Sequence, residues 1–322
     1  MSARSRLRLP VVVGSLAVVL AVALGAVVGA RTNAAPAAPA PGAPVDAATA
    51  CSVAAGRTVR VSVTVEGQGP RSALVRLPRR RTGRLPLILA LHGAYGNAAF
   101  MERYSGLSRV ADRQGFGVVY PDAGRPMWRI STSEDSADVQ FLDVLLDRLL
   151  AGGCFDSRRV SAVGVSNGGG MAARFACAGD DRLAGLVTVA GAYGPLPPCR
   201  TRRPLSYLEI HGTADAVVPY RGTPQDPGGD VLRWVQSWAG RDACLPRPQS
   251  TTERPGVVRL DWTRCRDATR VEHLRLVGGT HAWPGADPPD QGPQFGISAS
   301  EEVWKFLRDR RLSPLAGEHQ GG

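Results

Sequence analysis

Apolar and polar positions along the chain follow two periods in alternation. Thr58–Val65 (TVRVSVTV) places an apolar residue at every second position, the pattern of a half-exposed antiparallel strand, and Ser72–Leu77 is the expected partner. Pro86–Leu91 (PLILAL) is an unbroken apolar run, as a strand buried on both faces requires, and Gly117–Tyr120 (GVVY) repeats that signature. Further strands are predicted over Val160–Val165, Leu183–Val189, Leu205–Ile210 and Val271–Val277. Helices are predicted between them over Met101–Gln114, Asn167–Ala178, Val231–Ala239 and Ser300–Arg310. A fifth, Ala137–Leu150, carries Val139, Leu142, Leu145, Leu146 and Leu149 at helical spacing. There is no internal repeat. The alternation predicts an α/β fold with a mostly parallel, doubly wound sheet and helices on both faces. Ligands of such sheets bind beyond the carboxyl ends of the strands, so chemistry is expected in the loops that follow them.

The ends of the chain read differently. Residues 1–10 carry three arginines and no acid, Val11–Ala30 is apolar, and Val28-Gly29-Ala30 supplies small residues. Residues 1–33 are therefore expected to be a secretory signal peptide or a retained N-terminal anchor, with the rest of the chain outside the cytoplasm. A membrane enters only if that segment is retained. Residues 34–50 (AAPAAPAPGAPVDAATA) read as an Ala/Pro-rich linker, residues 51–312 as one catalytic domain, and residues 313–322 as a flexible tail. The 43% hydrophobic and 21% charged residues among 322 suit one large globular domain. The net charge of +11 is almost entirely arginine, since Lys305 is the one lysine. With no recognition motif or interleaved aromatics, it does not point to a nucleic-acid partner.

The strongest chemical signal is Gly164-Val165-Ser166-Asn167-Gly168, set between a predicted strand and a predicted helix. A serine there sits on a strained turn with its hydroxyl lifted clear, beside the free N–H groups of a helix start. A plain glycine-rich turn with a capping serine is the alternative. A serine nucleophile needs a base. Of the five histidines, His319 lies in the tail, His273 reads as a structural strand position, and His92 and His211 each precede a glycine at a strand end. His281 follows the last strand in a Gly/Pro-rich loop, Gly278–Gly285, and is the expected base. Asp215, in the turn after Leu205–Ile210, is the expected acid, with Asp226 and Asp230 as rivals further from the strand end. Asp215 would fix the imidazole tautomer, and the order Ser–Asp–His is that of the hydrolase fold. The oxyanion donors are expected to be the backbone N–H of Asn167 and that of Ala94, with Tyr95 next after Ala94. No CxxC spacing occurs, so no metal is expected.

The segments LHGAYGN, YPD, GVSNGGGMAARFAC, HGTADAVVPY and GGTHAWPG, in this order, resemble the secreted poly(3-hydroxybutyrate) depolymerase and feruloyl esterase family over about residues 57–310. The resemblance implies an α/β-hydrolase fold, no cofactor, and hydrolysis of carboxylic esters through an acyl-enzyme. It places nucleophile, acid and base on Ser166, Asp215 and His281. The loop HGAYGN departs from the family, where Cys and Gly often follow HG. No polymer-binding module is present in the sequence, which turns the expected substrates toward hydroxyalkanoate oligomers or related esters. Feruloyl and acetyl xylan esters are the alternative, so the partner is an ester, whether a small molecule, an oligoester or a polysaccharide ester. Tyr95, Trp128 and Trp283 are candidates for a substrate pocket, although tryptophans are more commonly core. An acyltransferase, a non-catalytic binding protein or a peptidase on the same scaffold are competing readings.

Six cysteines in an exported chain imply three disulfides. The layout suggests Cys154–Cys177 at the lower edge of the sheet and Cys244–Cys265 across a loop-rich segment, leaving Cys51–Cys199.

Overall fold

The unbroken apolar runs become the centre of an 11-stranded sheet. A computed structural model describes residues 45–312, apart from residues 53–54, 131–135, 179–180, 195–198, 200, 224–225, 288 and 291. The expected signal or anchor, most of the linker, the tail and His319 lie outside the described residues.

In chain order the elements begin with β1 (Val45–Asp46), a 3-10 turn at Ala47–Ser52, β2 (Thr58–Val65), β3 (Gly69–Arg76) and β4 (Leu85–Leu91). Then come α1 (Ala98–Ser105), α2 (Leu107–Gln114), β5 (Gly117–Pro121), α3 (Ala137–Ala151), β6 (Phe155–Val165), α4 (Asn167–Ala176) and β7 (Gly185–Val189). The chain continues through β8 (Ser206–Gly212), β9 (Arg221–Thr223), β10 (Asp226–Asp230), α5 (Val231–Arg241), β11 (Gln249–Arg254), β12 (Val257–Trp262), β13 (Val271–Leu276) and α6 (Ala299–Leu307).

The order in the large sheet is β1-β2-β3-β5-β4-β6-β7-β8-β13-β12-β11. From β5 to β13 every neighbour is parallel, while β3 pairs antiparallel with β5 on one side and, on the other, β12 pairs antiparallel with β13 and β11 antiparallel with β12. Helices cover both faces: Leu142, Phe175 and Trp238 of α3, α4 and α5 pack into one apolar cluster. Met101, Val110 and Phe306 of α1, α2 and α6 pack into the other. This is an α/β-hydrolase fold.

Four expectations are corrected. The helix predicted over 101–114 is two helices, because Gly106 adopts a left-handed φ of 65° and its N–H closes α1 on the Glu102 carbonyl. The segment between Cys244 and Cys265 is not loop-rich but holds the β11–β12 hairpin, added antiparallel to the edge at β13. The folded body begins inside the expected linker, since β1 pairs with β2 and Ala47 and Ala50 are fully buried.

The disulfides are Cys51–Cys154, Cys177–Cys199 and Cys244–Cys265, so only the last expected pair is found. The first folded turn packs on the end of α3, close enough that a Cβ on Gly152 would lie 2.7 Å from the Ala48 carbonyl oxygen. That contact delivers Cys51 to Cys154, and Cys177 at the end of α4 closes on Cys199 instead.

Candidate active site

The register of the parallel strands sets the stage. Val165, Val189, Ile210 and Leu274 form one row across β6, β7, β8 and β13. Ser166, Asp215 and His281 all come after that row in their strands, so the three candidate residues emerge at one edge of the sheet. This is the carboxyl edge at which open α/β sheets bind ligands.

Ser166 joins β6 to α4 with φ 54° and ψ −124°, a left-handed conformation that a side chain tolerates only when its surroundings enforce it. Those surroundings are explicit. The Ser166 N–H donates to the Val189 carbonyl at 3.0 Å, and its own carbonyl accepts from Gly170 and Ala192, both at 3.1 Å. The flanking glycines are there for space. A Cβ on Gly164 would lie 2.1 Å from the Gly168 oxygen, and one on Gly168 would lie 2.3 Å from the His92 oxygen. The helix start is thus pressed onto the end of β4. Asn167, the first residue of α4, has a backbone N–H for which the helix supplies no acceptor.

The loop after β4 lies against this turn: a Cβ on Gly93 would stand 3.4 Å from the Cβ of Ser166. The N–H of Tyr95, with φ 60°, is committed to the Pro126 carbonyl at 2.5 Å. The N–H of Ala94 has no protein acceptor among the described residues. His92 is buried; its Nδ1 donates to the Gly93 carbonyl at 2.8 Å and its Nε2 accepts the Ala123 N–H at 3.1 Å. Burial holds its pKa below the ordinary value, so this ring is a neutral brace.

The acid and base loops are tied to each other. Ala214 N–H donates to the Gly279 carbonyl and Thr213 N–H to the Leu276 carbonyl, both at 2.9 Å. A Cβ on Gly212 would lie 2.2 Å from the Gly279 oxygen, so only glycine permits the approach. Across this junction His281 Nδ1 donates to Asp215 Oδ2 at 2.7 Å. The other oxygen, Oδ1, accepts the N–H groups of Val217 at 2.9 Å and Val218 at 2.8 Å. Burial works to raise the Asp215 pKa, but the hydrogen bonds from His211 and His281 outweigh it and hold the carboxyl well below the usual range. The Asp215 side chain is fully buried, whereas that of His281 is 20% exposed and so reaches solvent.

The structure therefore brings Asp215 and His281 into direct contact and sets Ser166 on a strained turn at the same edge. Of the rivals, Asp230 caps α5 by accepting the Arg233 N–H at 2.8 Å. His273 is fully buried on β13, as its strand position suggested.

The three aromatic pocket candidates divide. Tyr95 projects into solvent, 84% exposed. Trp128 is 2% exposed; its indole donates to the His92 carbonyl at 2.9 Å, and its backbone N–H donates to Asn167 Oδ1 at 2.7 Å. Trp283 is 1% exposed and donates to Ser300 Oγ at 3.3 Å, beneath the His281 loop beside a cavity of about 30 Å³. Both tryptophans are core residues that anchor site loops. His211 was passed over in the sequence, yet its Nε2 lies 3.2 Å from Asp215 Oδ2.

Residues 71–192 match the family described as esterase PHB depolymerase. The chain is 32% identical to the putative esterase NocK of Nocardia uniformis subsp. tsuyamanensis, over 91% of this chain and 96% of that one. It belongs to the PHB-depolymerase esterase family. As a member it is a carboxylic-ester hydrolase. This esterase is also 28% identical to feruloyl esterase B of Piromyces equi over 66% of its own length, and 25% identical to the bifunctional acetylxylan esterase/xylanase XynS20E of Neocallimastix patriciarum over 80%. The match spans 42% and 36% of those two longer proteins. Among solved structures, the acetyl xylan esterase from Aspergillus awamori superposes with a TM-score of 0.59 at 12% identity, over 79% of this chain and 99% of that one, a likeness of fold. The three disulfides of this esterase fit an oxidising compartment.

Proposed function

We propose that this esterase is a secreted serine hydrolase that works through an acyl-enzyme on Ser166. The observation that carries the reading is the 2.7 Å hydrogen bond from His281 Nδ1 to the buried Asp215 carboxylate. It keeps the proton on Nδ1 and leaves Nε2 as an acceptor, the state a general base requires.

Ser166 Oγ attacks the ester carbonyl while His281 Nε2 takes its proton. The oxyanion that forms is met by the N–H groups of Asn167 and Ala94, the positive end of α4 adding to the field. His281 then gives the proton to the leaving alcohol, and water repeats the sequence to free the acid. The committed N–H of Tyr95 favours Ala94 as the second donor.

The ester is taken as one presented from solvent, in keeping with the exposure of Tyr95 and Met127. Acetyl and feruloyl esters, named for the relatives, are the first class. Hydroxyalkanoate oligomers are the second, favoured by the family match at residues 71–192.

The test is turnover of two panels by the purified protein: methyl ferulate and acetylated xylan against hydroxybutyrate oligomers and p-nitrophenyl alkanoates. Activity lost in Ser166→Ala is expected, and the better panel assigns the ester. Activity that survives the substitution overturns the mechanism. Product appearing as a new ester when an alcohol is added, with little free acid, would move the assignment to an acyltransferase.

A further inference from the structure

Strand β8 carries a glutamate and a histidine within a fully buried sequence, Tyr-Leu-Glu-Ile-His-Gly at 207–212. Glu209 and His211 are two apart, so they face the same side of the strand. Both side chains are fully buried, with His211 Nδ1 2.7 Å from Glu209 Oε1. His211 Nε2 faces the Val218 carbonyl at 3.0 Å and Asp215 Oδ2 at 3.2 Å. Neither of those groups can donate, so Nε2 carries a hydrogen. Glu209 Oε2 accepts from the hydroxyls of Thr188, Tyr193 and Tyr207. The Trp234 indole donates in turn to the Tyr207 hydroxyl at 3.0 Å. With that many donors on its far oxygen, Glu209 stands as a carboxylate, and the nitrogen facing its near oxygen carries a hydrogen too. His211 is then an imidazolium between two carboxylates. Burial works to lower its pKa, but the bonds to Asp215 and Glu209 prevail and push it up to about 9.

A buried ion pair is poor evidence for stability, since desolvation consumes most of its attraction. What this pair does have is a place: His211 and His281 share a single oxygen, Asp215 Oδ2. We propose that Glu209 and His211 are positioning residues, a buried ion pair that grips Asp215 from behind and limits how strongly Asp215 holds the proton gained by His281. This rests on the reading of Ser166, His281 and Asp215 given above. The His211 cation pulls on the same carboxylate oxygen as the catalytic imidazole. Its positive end lies nearer to Asp215 than does the Glu209 charge behind it. Proton release from His281 to the leaving alcohol is thereby kept easy.

The other groups around the pair do not supply this charge. His273 on β13 donates to the Glu209 carbonyl at 3.1 Å and accepts from the Tyr220 hydroxyl at 2.7 Å. Burial drives its pKa down to about 4, so it is neutral. Tyr193 and Tyr207, after β7 and on β8, are held protonated by burial. So is Tyr220, pushed up to about 12. Arg275, opposite His211 on β13, is a fixed cation that reaches the surface. Beside His281, Asp290 is engaged by the Tyr104 hydroxyl at 2.6 Å and the Trp283 N–H at 3.0 Å.

The experiment is the pH dependence of kcat and kcat/KM on p-nitrophenyl acetate for the wild type, His211→Gln and Glu209→Gln. A second readout is titration of the His281 ring by NMR in a Ser166→Ala background, which needs no turnover. With the cation removed, Asp215 binds the His281 proton more tightly. The acid limb of kcat/KM should move up by about one pH unit. In Glu209→Gln the cation acts on Asp215 alone, and the limb should move down. KM should stay within about twofold of the wild type, the loss falling on kcat. If Glu209→Gln does not fold, Tyr193→Phe leaves the same carboxylate one donor short, so it draws harder on the His211 cation and should give a smaller, upward shift of the limb.

Limbs and NMR titrations that stay where they are, or that move the same way in both variants, overturn the inference. Turnover that survives Ser166→Ala sinks the catalytic reading instead, while the NMR titration still reports whether the two histidines are linked through Asp215.

Discussion

Replacing Asp215 by Asn changes one atom and reverses a hydrogen bond. The wild-type carboxylate accepts on both oxygens: Oδ1 from the Val217 and Val218 N–H groups at 2.9 and 2.8 Å, and Oδ2 from His281 Nδ1 at 2.7 Å. An Asn at this position keeps its oxygen on the two backbone donors, since the opposite orientation would set an NH2 against both. Its NH2 then faces His281 Nδ1, which must give up its hydrogen and accept. The proton moves to Nε2, the nitrogen that deprotonates Ser166 in the proposed mechanism. The same NH2 also meets the Nε2–H of His211 in place of an acceptor at 3.2 Å. The expected loss in kcat is about 10⁴-fold, or roughly 5 kcal/mol of transition-state stabilisation. The fold should persist, because the two backbone bonds survive. The assay is steady-state hydrolysis of p-nitrophenyl acetate, alongside a thermal melt of each protein. A folded Asp215→Asn protein with turnover within about tenfold of the wild type would refute the tautomer argument.

Gly168→Ala places a Cβ 2.3 Å from the His92 oxygen, and both partners are backbone, so the variant should lose about 1–3 kcal/mol and melt several degrees lower; an unchanged Tm would show that β4 and α4 can separate. Removing Cys51 and Cys154 together opens a closure of 103 residues and should cost up to about 4–5 kcal/mol on loop entropy, read as a lower Tm or a lower denaturant midpoint. Two histidines set opposing pH slopes on stability. His273, lowered to about 4 from 6.5, binds its proton in the unfolded chain first, so its contribution is lost as pH falls from 6.5 toward 4. His211, raised to about 9 from 6.5, binds its proton in the folded state, so its contribution is full below 6.5 and lost as pH rises toward 9. Melts across pH should show the alkaline decline flattened in His211→Gln, and an unchanged slope there would place the proton elsewhere.

The parallel centre of the sheet was legible because strands buried on both faces are mostly continuous apolar runs, as β4, β5 and β7 are, each buried along its whole length. β11 was illegible for the opposite reason. Its residues, QSTTER, are exposed at the sheet edge, and their strand form comes from pairing with β12. The break at Gly106 lay inside a helical pattern that continues on both sides of it, and a lone glycine does not by itself end a helix.

Ser166, Asp215 and His281 stand out as candidates because each follows a strand at a turn made of glycine, a placement the sequence states directly. The disulfide partners depend on where the first folded turn packs, and nothing in the spacing of six cysteines encodes that. His211 was within reach. Glu209 and His211, two apart on a fully buried strand, are a pair that burial would forbid unless each had a partner, and the turn that follows supplies Asp215.

A serine mechanism requires a covalent ester on one named oxygen, Ser166 Oγ. It is tested most directly by treating the protein with a fluorophosphonate, or by acid-quenching it during p-nitrophenyl acetate turnover, and locating the added mass by peptide mass spectrometry. A single adduct is expected on the peptide containing Ser166, absent in Ser166→Ala and formed far more slowly in His281→Ala. An adduct on another residue, or a labelled Ser166→Ala protein that still hydrolyses the ester, would contradict it.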